Sequence, residues 1–270
     1  MKNYAGPAEI MYHTGLSASM IRGAKYALVP GDPGRVEGLA KALDENALFV
    51  ASHRDYTTWL AQVENAPVLV MSTGMGGPCV TFAVEELARL GVETFIRVGT
   101  TGSIQEDLHL GDVVINTASV RMDGASRAYA PIEFPAVADM DTVLALREAA
   151  EESGVPFKTG ISISTDSFWP GQERYDSFGG YVLKRLQGSL EDFRHLGCTN
   201  YEMENATLFT LCAVLGLKAA SICGVVAKRT DSESVAPHEV YEKAEQRFQD
   251  VVKRALKKMI ARSRSGGNIS

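Results

Sequence analysis

The chain has 270 residues, enough for one large α/β domain or two small ones with a substantial core. Hydrophobic residues make up 45% and charged residues 22%, the balance of an ordinary soluble globular protein. With 27 Lys+Arg against 33 Asp+Glu the net charge is −6, which argues against general nucleic-acid or anionic-membrane binding but leaves small anionic substrates open, because local arginines decide those.

Apolar runs and their punctuation predict the elements in chain order. Residues 26–29 read as a short strand, followed by a Pro/Gly turn and a helix from about Val36. Residues 67–71 repeat the pattern, with a glycine-rich turn and a helix ending near Gly91. "TFIRVGTTGSI" is a third buried strand and "DVVINTASV" a fourth. Residues 121–139 look irregular, and "DTVLALREAAEESG" is a helix ending at Gly154. "FKTGISISTDSF" alternates as a strand, 206–217 is an apolar helix, and "AASICGVVA" is another buried strand. Apolar residues spaced at helical period from 240 to 260 predict an amphipathic closing helix, Pro237 to about Arg262, with the proline in its first turn. Strands alternating with helices indicate a layered α/β fold. Without a linker-like composition shift, residues 1–262 are expected to form one domain, and 263–270 a disordered tail.

The four cysteines, Cys79, Cys198, Cys212 and Cys223, show neither CxxC nor zinc-ligand spacing. They suggest buried thiols in a reducing compartment, the cytoplasm by default. The N-terminus has no secretory pattern, and no apolar run reaches 18 residues, so no membrane span is expected.

Several segments carry possible chemistry, each with a plainer structural alternative. "VPGDPGRV" sets Gly31 and Gly34 in a strand-to-helix turn with Arg35 at the helix entry: an anion site, or a common tight turn. Arg97 interrupts a strand that otherwise reads as buried, and threonines and glycines follow at the strand end. A buried guanidinium needs a partner, so Arg97 marks either an anion site or a structural ion pair. "TGMGGP" lacks dinucleotide or P-loop spacing and suggests close backbone packing or backbone approach to a ligand. "SHRDYTTW" by itself reads as a surface loop carrying His53 and Arg54. "SFWPGQERYDSF" sets Gln172, Glu173 and Arg174 among Phe168, Trp169 and Tyr175, an array that suits a planar base or a solvated turn. In "TNYEMENAT", Thr199 and Glu202 match a capping box, with Glu204 in the first helical turn. Two positions apart on a helix, the two glutamates should face different surroundings.

Taken together and in order, "VPGDPGRV", "ASHRDYTTW", "STGMGGP", "AVEELARLG", "RVGTTGSIQ", "TASVRMDGAS", "EFPAVAD", "PGQERYD", "NYEMENATL" and "GVVAKRT" resemble the uridine branch of the trimeric or hexameric nucleoside phosphorylase superfamily. The resemblance runs from about Tyr12 to Arg262. It implies a single α/β domain around a twisted mixed sheet, partly barrel-like and flanked by helices. It also implies phosphorolysis of uridine to uracil and ribose 1-phosphate, with phosphate as co-substrate and no cofactor or metal. Gly31, Arg35, Arg97 and Thr100 would hold phosphate, joined by Arg54 of a neighbouring subunit. Met203 and Glu204 would hold the ribose, with His13 of the neighbour at its 5′ end. Gln172 and Arg174 would read the uracil edge. Phe168 and Tyr201 would line the base pocket, Glu202 would shape the turn and the pocket wall, and Arg229 would assist near the base. Arg97, Gln172, Arg174 and Arg229 would carry the catalysis.

The shared site implies at least a dimer, and the family a hexamer. Asp55 and Cys79 stand where some bacterial members hold a monovalent cation with Glu and Ser, so potassium dependence is not expected. Val226 and Ala227 stand where purine relatives carry an acid, which disfavours purines. Tolerance for 2′-deoxyuridine or thymidine stays open. The rival readings are a purine nucleoside phosphorylase or nucleosidase of the same superfamily, and a non-catalytic nucleoside-binding protein.

Overall fold

A computed structural model describes residues 2–232 and 234–266. Its ten strands, among the described residues, form one mixed sheet. They are β1 (Tyr26–Val29), β2 (Leu48–His53), β3 (Tyr56–Val63), β4 (Ala66–Met71), β5 (Thr94–Ser103), β6 (Val113–Met122), β7 (Ala136–Val137), β8 (Phe157–Thr165), β9 (Asn200–Glu202) and β10 (Lys218–Lys228). The helices are α1 (Ala18–Ile21), α2 (Val36–Leu43), α3 (Gly77–Arg89), α4 (Met140–Ser153), α5 (Ser189–His195), α6 (Asn205–Leu215) and α7 (His238–Arg264).

β5 pairs with three neighbours along its length: β1 and β10, both parallel, and β9, antiparallel at its end. Because β10 also pairs with β6, β6 with β8 and β8 with β9, five strands close into a ring, β5–β10–β6–β8–β9. The sheet continues outward from β5 as β1–β4–β3–β2. This is the barrel-containing mixed sheet expected from the sequence. Residues Thr94–Arg97 of β5 pair with β1 where ring and extension meet, and Arg97 lies level with Val29, the last residue of β1.

The local reasons are visible. α2 presents Val36, Leu39, Ala40 and Leu43 to the core, a helical stripe. Asp139 caps α4 by accepting from the Thr142 N–H, and Gly154 ends it in the left-handed conformation. α6 is buried along most of its length, as its apolar composition requires, and packs on α3 and the ring strands. α7 packs on α2, α4 and β10. Among the described residues no helix is long and apolar enough to cross a membrane. All four cysteines are free thiols.

The structure corrects several expectations. The "SHRDYTTW" segment is not a loop but the heart of a β2–β3 hairpin, turning at Arg54 (φ 55°) and Asp55. The stretch 121–139 is more ordered than its sequence suggests. β6 runs on to Met122, and the buried Arg121 donates to the carbonyls of Ala130, Pro131 and Phe134 and to the Ser126 hydroxyl, which gathers the loop around one guanidinium. The apolar helix starts at Asn205 and ends at Leu215, stopped by left-handed Gly216. α7 extends through Ser263 and Arg264, which were expected in the tail; residues 267–270 of that expected tail lie outside the described residues.

Candidate active site

The capping box does not form. Asn200–Glu202 is a strand, paired with β5 on one side and β8 on the other, so Thr199 and Glu202 cannot adopt the helix-start geometry. Glu202 caps α6 from outside instead: its Oε2 accepts from the backbone N–H groups of Glu204 and Asn205, each at 2.7 Å. Its Oε1 accepts from the hydroxyls of Ser164 and, at 3.1 Å, Ser162. Those hydroxyls and amides occupy both of its oxygens. Glu202, expected to shape the turn and the pocket wall, is the carboxylate around which the β9–α6 turn is built. Burial pushes the Glu202 carboxyl up, against the opposing pull of Arg97.

The expected separation of the two glutamates is corrected as well. Strand and turn geometry turn both toward Arg97, which is 7% exposed. Its Nη2 is ion-paired with Glu204, and its Nε lies 3.7 Å from Glu202. Burial works against the Arg97 charge, but Glu204 outweighs it and holds the guanidinium firmly protonated. The Nε–H is buried without a hydrogen-bond acceptor among the described residues. The other oxygen of Glu204 accepts from the Gly76 N–H at 2.7 Å. The "TGMGGP" loop thus brings its backbone to a side chain of the site. Gly99 matters for steric reasons. A Cβ there would lie 2.8 Å from the Arg97 guanidinium carbon, so the arginine can fold back across β5 only over a glycine.

A second cluster surrounds the "PGQER" segment. Residues 170–172 form a single 3₁₀ turn, and Glu173 leaves it with φ 52°. Gln172 and Arg174 are both buried, at 3% and 1% exposure. The Arg174 guanidinium lies 4.2 Å over the ring of half-buried Phe168. Arg229, just past β10, donates to the carbonyls of Gln172 and Glu173 and lies 5.4 Å over the Tyr201 ring. Burial pushes the Tyr201 phenol up to about 12, so it stays protonated at neutral pH. Tyr201 and Glu202 are adjacent on β9, which joins the two clusters; the Tyr201 carbonyl accepts from Thr101 at 2.6 Å.

The remaining expected residues lie around these clusters. Gly31 packs on the glycine loop, where the Gly74 N–H donates to the Gly31 carbonyl at 2.9 Å. Thr100 is half-buried on β5 opposite Gly224, and Met203 is half-buried between the glutamates. Arg35 is ion-paired with Glu245 of α7 and stacked 5.3 Å from the Phe248 ring. His13 bonds to Glu86 at 2.7 Å and stacks on Phe82, and the exposed Arg54 lies 4.9 Å over Tyr12. Among the described residues no hydrogen bond or ion pair joins Arg35, His13 or Arg54 to Arg97 or Glu204. Sequence reasoning missed Gly76, Gly99 and the Ser162–Ser164 pair; the glycines stood in clusters already singled out, and the serines fall on one face of an alternating strand.

A buried arginine shared by two glutamates is thus joined, through β9, to a second cluster of Gln, Arg and aromatics. Residues 25–257 match the model of the Phosphorylase superfamily, and the chain belongs to that family. Among its relatives, a uridine phosphorylase of Escherichia coli K12 is 51% identical over 223 residues, 83% of this chain and 88% of that one. A uridine phosphorylase of Thermococcus kodakarensis is 46% identical over 210 residues, 78% of this chain and 75% of that one. A guanosine phosphorylase of Halorubrum lacusprofundi is 37% identical over 201 residues, 74% and 77% of the two chains.

Proposed function

We propose that the chain is a pentosyltransferase that phosphorolyses uridine, giving uracil and ribose 1-phosphate, reversibly, in pyrimidine salvage. The observation that carries the reading is the buried Arg97, ion-paired with Glu204 and holding an unused Nε–H, beside the Gln172–Arg174 turn. The names of the uridine phosphorylases that match most of its length support it.

In this reading a phosphate oxygen forms a bond to C1′ as the bond from C1′ to N1 of uracil breaks. The electron pair of the broken bond leaves with the base, and the proton given up by phosphate balances the one uracil gains. Arg97, with Gly31, Arg35 and Thr100 and a neighbour's Arg54, holds the phosphate below the sugar, supplying position and charge balance. Glu204 accepts from the 2′ and 3′ hydroxyls, because each carboxylate oxygen has more than one lone pair. Met203 packs on the ribose, and a neighbour's His13 meets its 5′ end. Gln172 and Arg174 donate to the uracil carbonyls as negative charge builds on the ring, worth roughly 3–4 kcal/mol per well-placed donor. Gln172 also accepts from N3–H, so cytosine is rejected by an unmatched donor pair. Phe168 and Tyr201 give the ring its apolar faces. Arg229 assists near the base and holds the turn through the carbonyls of Gln172 and Glu173.

No covalent nucleophile, metal or cofactor is needed, and Asp55 with Cys79 makes a poor site for a hard cation. Two subunits complete each site, in a hexamer built from dimers; full activity of a monomer at high dilution would contradict this. Free nucleoside substrates and four reduced thiols suit the cytoplasm. The guanosine phosphorylase among the relatives keeps a purine reading in play. One measurement separates them: base release from uridine, 2′-deoxyuridine, thymidine, cytidine, inosine and guanosine, with and without phosphate. Phosphate-dependent uracil release, well ahead of guanine or hypoxanthine, is expected. Faster guanosine turnover would select the purine reading, and binding without release a non-catalytic one.

A further inference from the structure

Glu173 stands between the two side chains assigned to the base, and that assignment gives it no role. Its backbone is left-handed, φ 52°, a conformation that costs an ordinary residue free energy. The turn closes around it, with the Glu173 N–H on the Pro170 carbonyl at 3.2 Å and the Arg174 N–H on the Trp169 carbonyl at 2.8 Å. Its side chain is spent elsewhere. The carboxylate accepts from the backbone N–H groups of Gly188 and, at 2.7 Å, Leu190. It also accepts from the Ser189 hydroxyl at 3.3 Å and the Tyr175 phenol at 3.2 Å. Three consecutive residues at the start of α5 thus converge on one carboxylate from further along the chain. The Glu173 carbonyl, meanwhile, accepts from Arg229. The residue is tied by its side chain to α5 and by its backbone to the end of β10.

We propose that Glu173 is a positioning residue for the base: by docking its carboxylate on the start of α5 it holds the left-handed turn that faces Gln172 and Arg174 inward together. The proposal rests on the assignment of those two residues to uracil. A charge-assisted acceptor shared by four donors offsets the backbone cost of the turn. Without it, four donors lose their acceptor, the strained residue relaxes, and its two neighbours no longer share an orientation. Arg97, Glu202 and Glu204 share no hydrogen bond with Glu173 among the described residues, so the phosphate end should not register the change.

The test uses the full chain with Glu173→Ala, Glu173→Gly and Glu173→Gln. Glycine adopts positive φ freely, so Glu173→Gly keeps the turn accessible while removing the anchor. KM for uridine and for phosphate are measured separately, with uracil binding by calorimetry and limited proteolysis of residues 175–188. Glu173→Ala and Glu173→Gly should raise the uridine KM by about tenfold, the scale of a misplaced binding group, with phosphate KM unchanged and new cleavage in that segment. Glu173→Gln should recover part of the loss, since its single amide oxygen still accepts from one of the two backbone N–H groups, Gly188 or Leu190, that meet separate oxygens of the carboxylate. A wild-type uridine KM in Glu173→Gly, or equal losses for both substrates, would overturn the proposal; the glycine variant decides the matter if Glu173→Ala does not fold. Failure of the base assignment shows in a wild-type chain that binds no uracil, or in a Gln172→Ala variant that keeps the wild-type uridine KM. Failure of this proposal shows only in the Glu173 variants, against a wild type that binds uracil and a Gln172→Ala that is impaired.

Discussion

The two halves of the site are built in opposite ways. The Arg97 half grows out of regular structure: an arginine on β5, a glutamate at the end of β9, a second at the entry to α6, and a glycine to lie across. Its charges are buried and mutually paired, and its turn is pinned by Ser162, Ser164 and two backbone amides. The Gln172–Arg174 half is one 3₁₀ turn with a left-handed exit, held by Arg229 and by a carboxylate that reaches to α5. One half is fixed by the sheet, the other by tethers. Under the assignments proposed above, a fold that keeps the charged half in its frame and hangs the other half on a loop can change its base without touching its phosphate chemistry.

That contrast can be broken most severely at Arg97. Arg97→Ala leaves Glu202 and Glu204 buried against each other and should lower kcat/KM by about 10³-fold or more, beyond the loss of a single oxyanion donor. Near-normal turnover in steady-state assays would refute the phosphate assignment. Next comes Gly99→Ala, which adds one methyl under the guanidinium. Displacing Arg97 by about an ångström should cost roughly 10²-fold in kcat, with circular dichroism unchanged. Gln172→Ala attacks the other half: a loss of about 10²-fold in kcat/KM for uridine, phosphate KM intact, and narrower discrimination against cytidine. If phosphate KM rose in parallel, the two halves would not be separable.

The smallest effect is expected from Glu202→Gln, which keeps the shape of the turn. Burial holds the Glu202 carboxyl above its ordinary value of 4.5. Its contribution to stability is therefore full below that ordinary value and is lost as pH rises through the higher folded value. Denaturant midpoints of wild type should fall over that window, and those of Glu202→Gln should not. A stability difference that grew toward acid in the opposite sense would mean the carboxyl is held charged.

Strand–glycine–helix units such as 26–43 and 66–89 are legible because period, turn residues and caps agree. The hairpin at His53–Tyr56 is not, because its turn uses Arg54 at positive φ with no glycine to mark it. β9 is hidden for another reason: three residues pair with strands roughly 40 and 100 positions away, and that pairing overrides a local capping signature. The same override explains the site. Arg97 is conspicuous as a charge in an apolar run, whereas its sharing between two glutamates depends on how β9 meets β5. Glu173 shows only as a polar turn residue, since its partners at 188–190 lie beyond any local window.

The glycine beneath Arg97 also constrains how this sequence can change with time. While position 97 holds arginine, every side chain at 99 meets the guanidinium, so the two sites cannot drift independently. A lineage that gave up the arginine would free position 99 to accumulate larger residues, and each of them would then block the way back. In a library randomised at both positions, non-glycine residues at 99 should be recovered only beside short side chains at 97. The pair behaves as a ratchet on descent: the loss of one charge, once followed by one methyl, is no longer reversible by a single substitution.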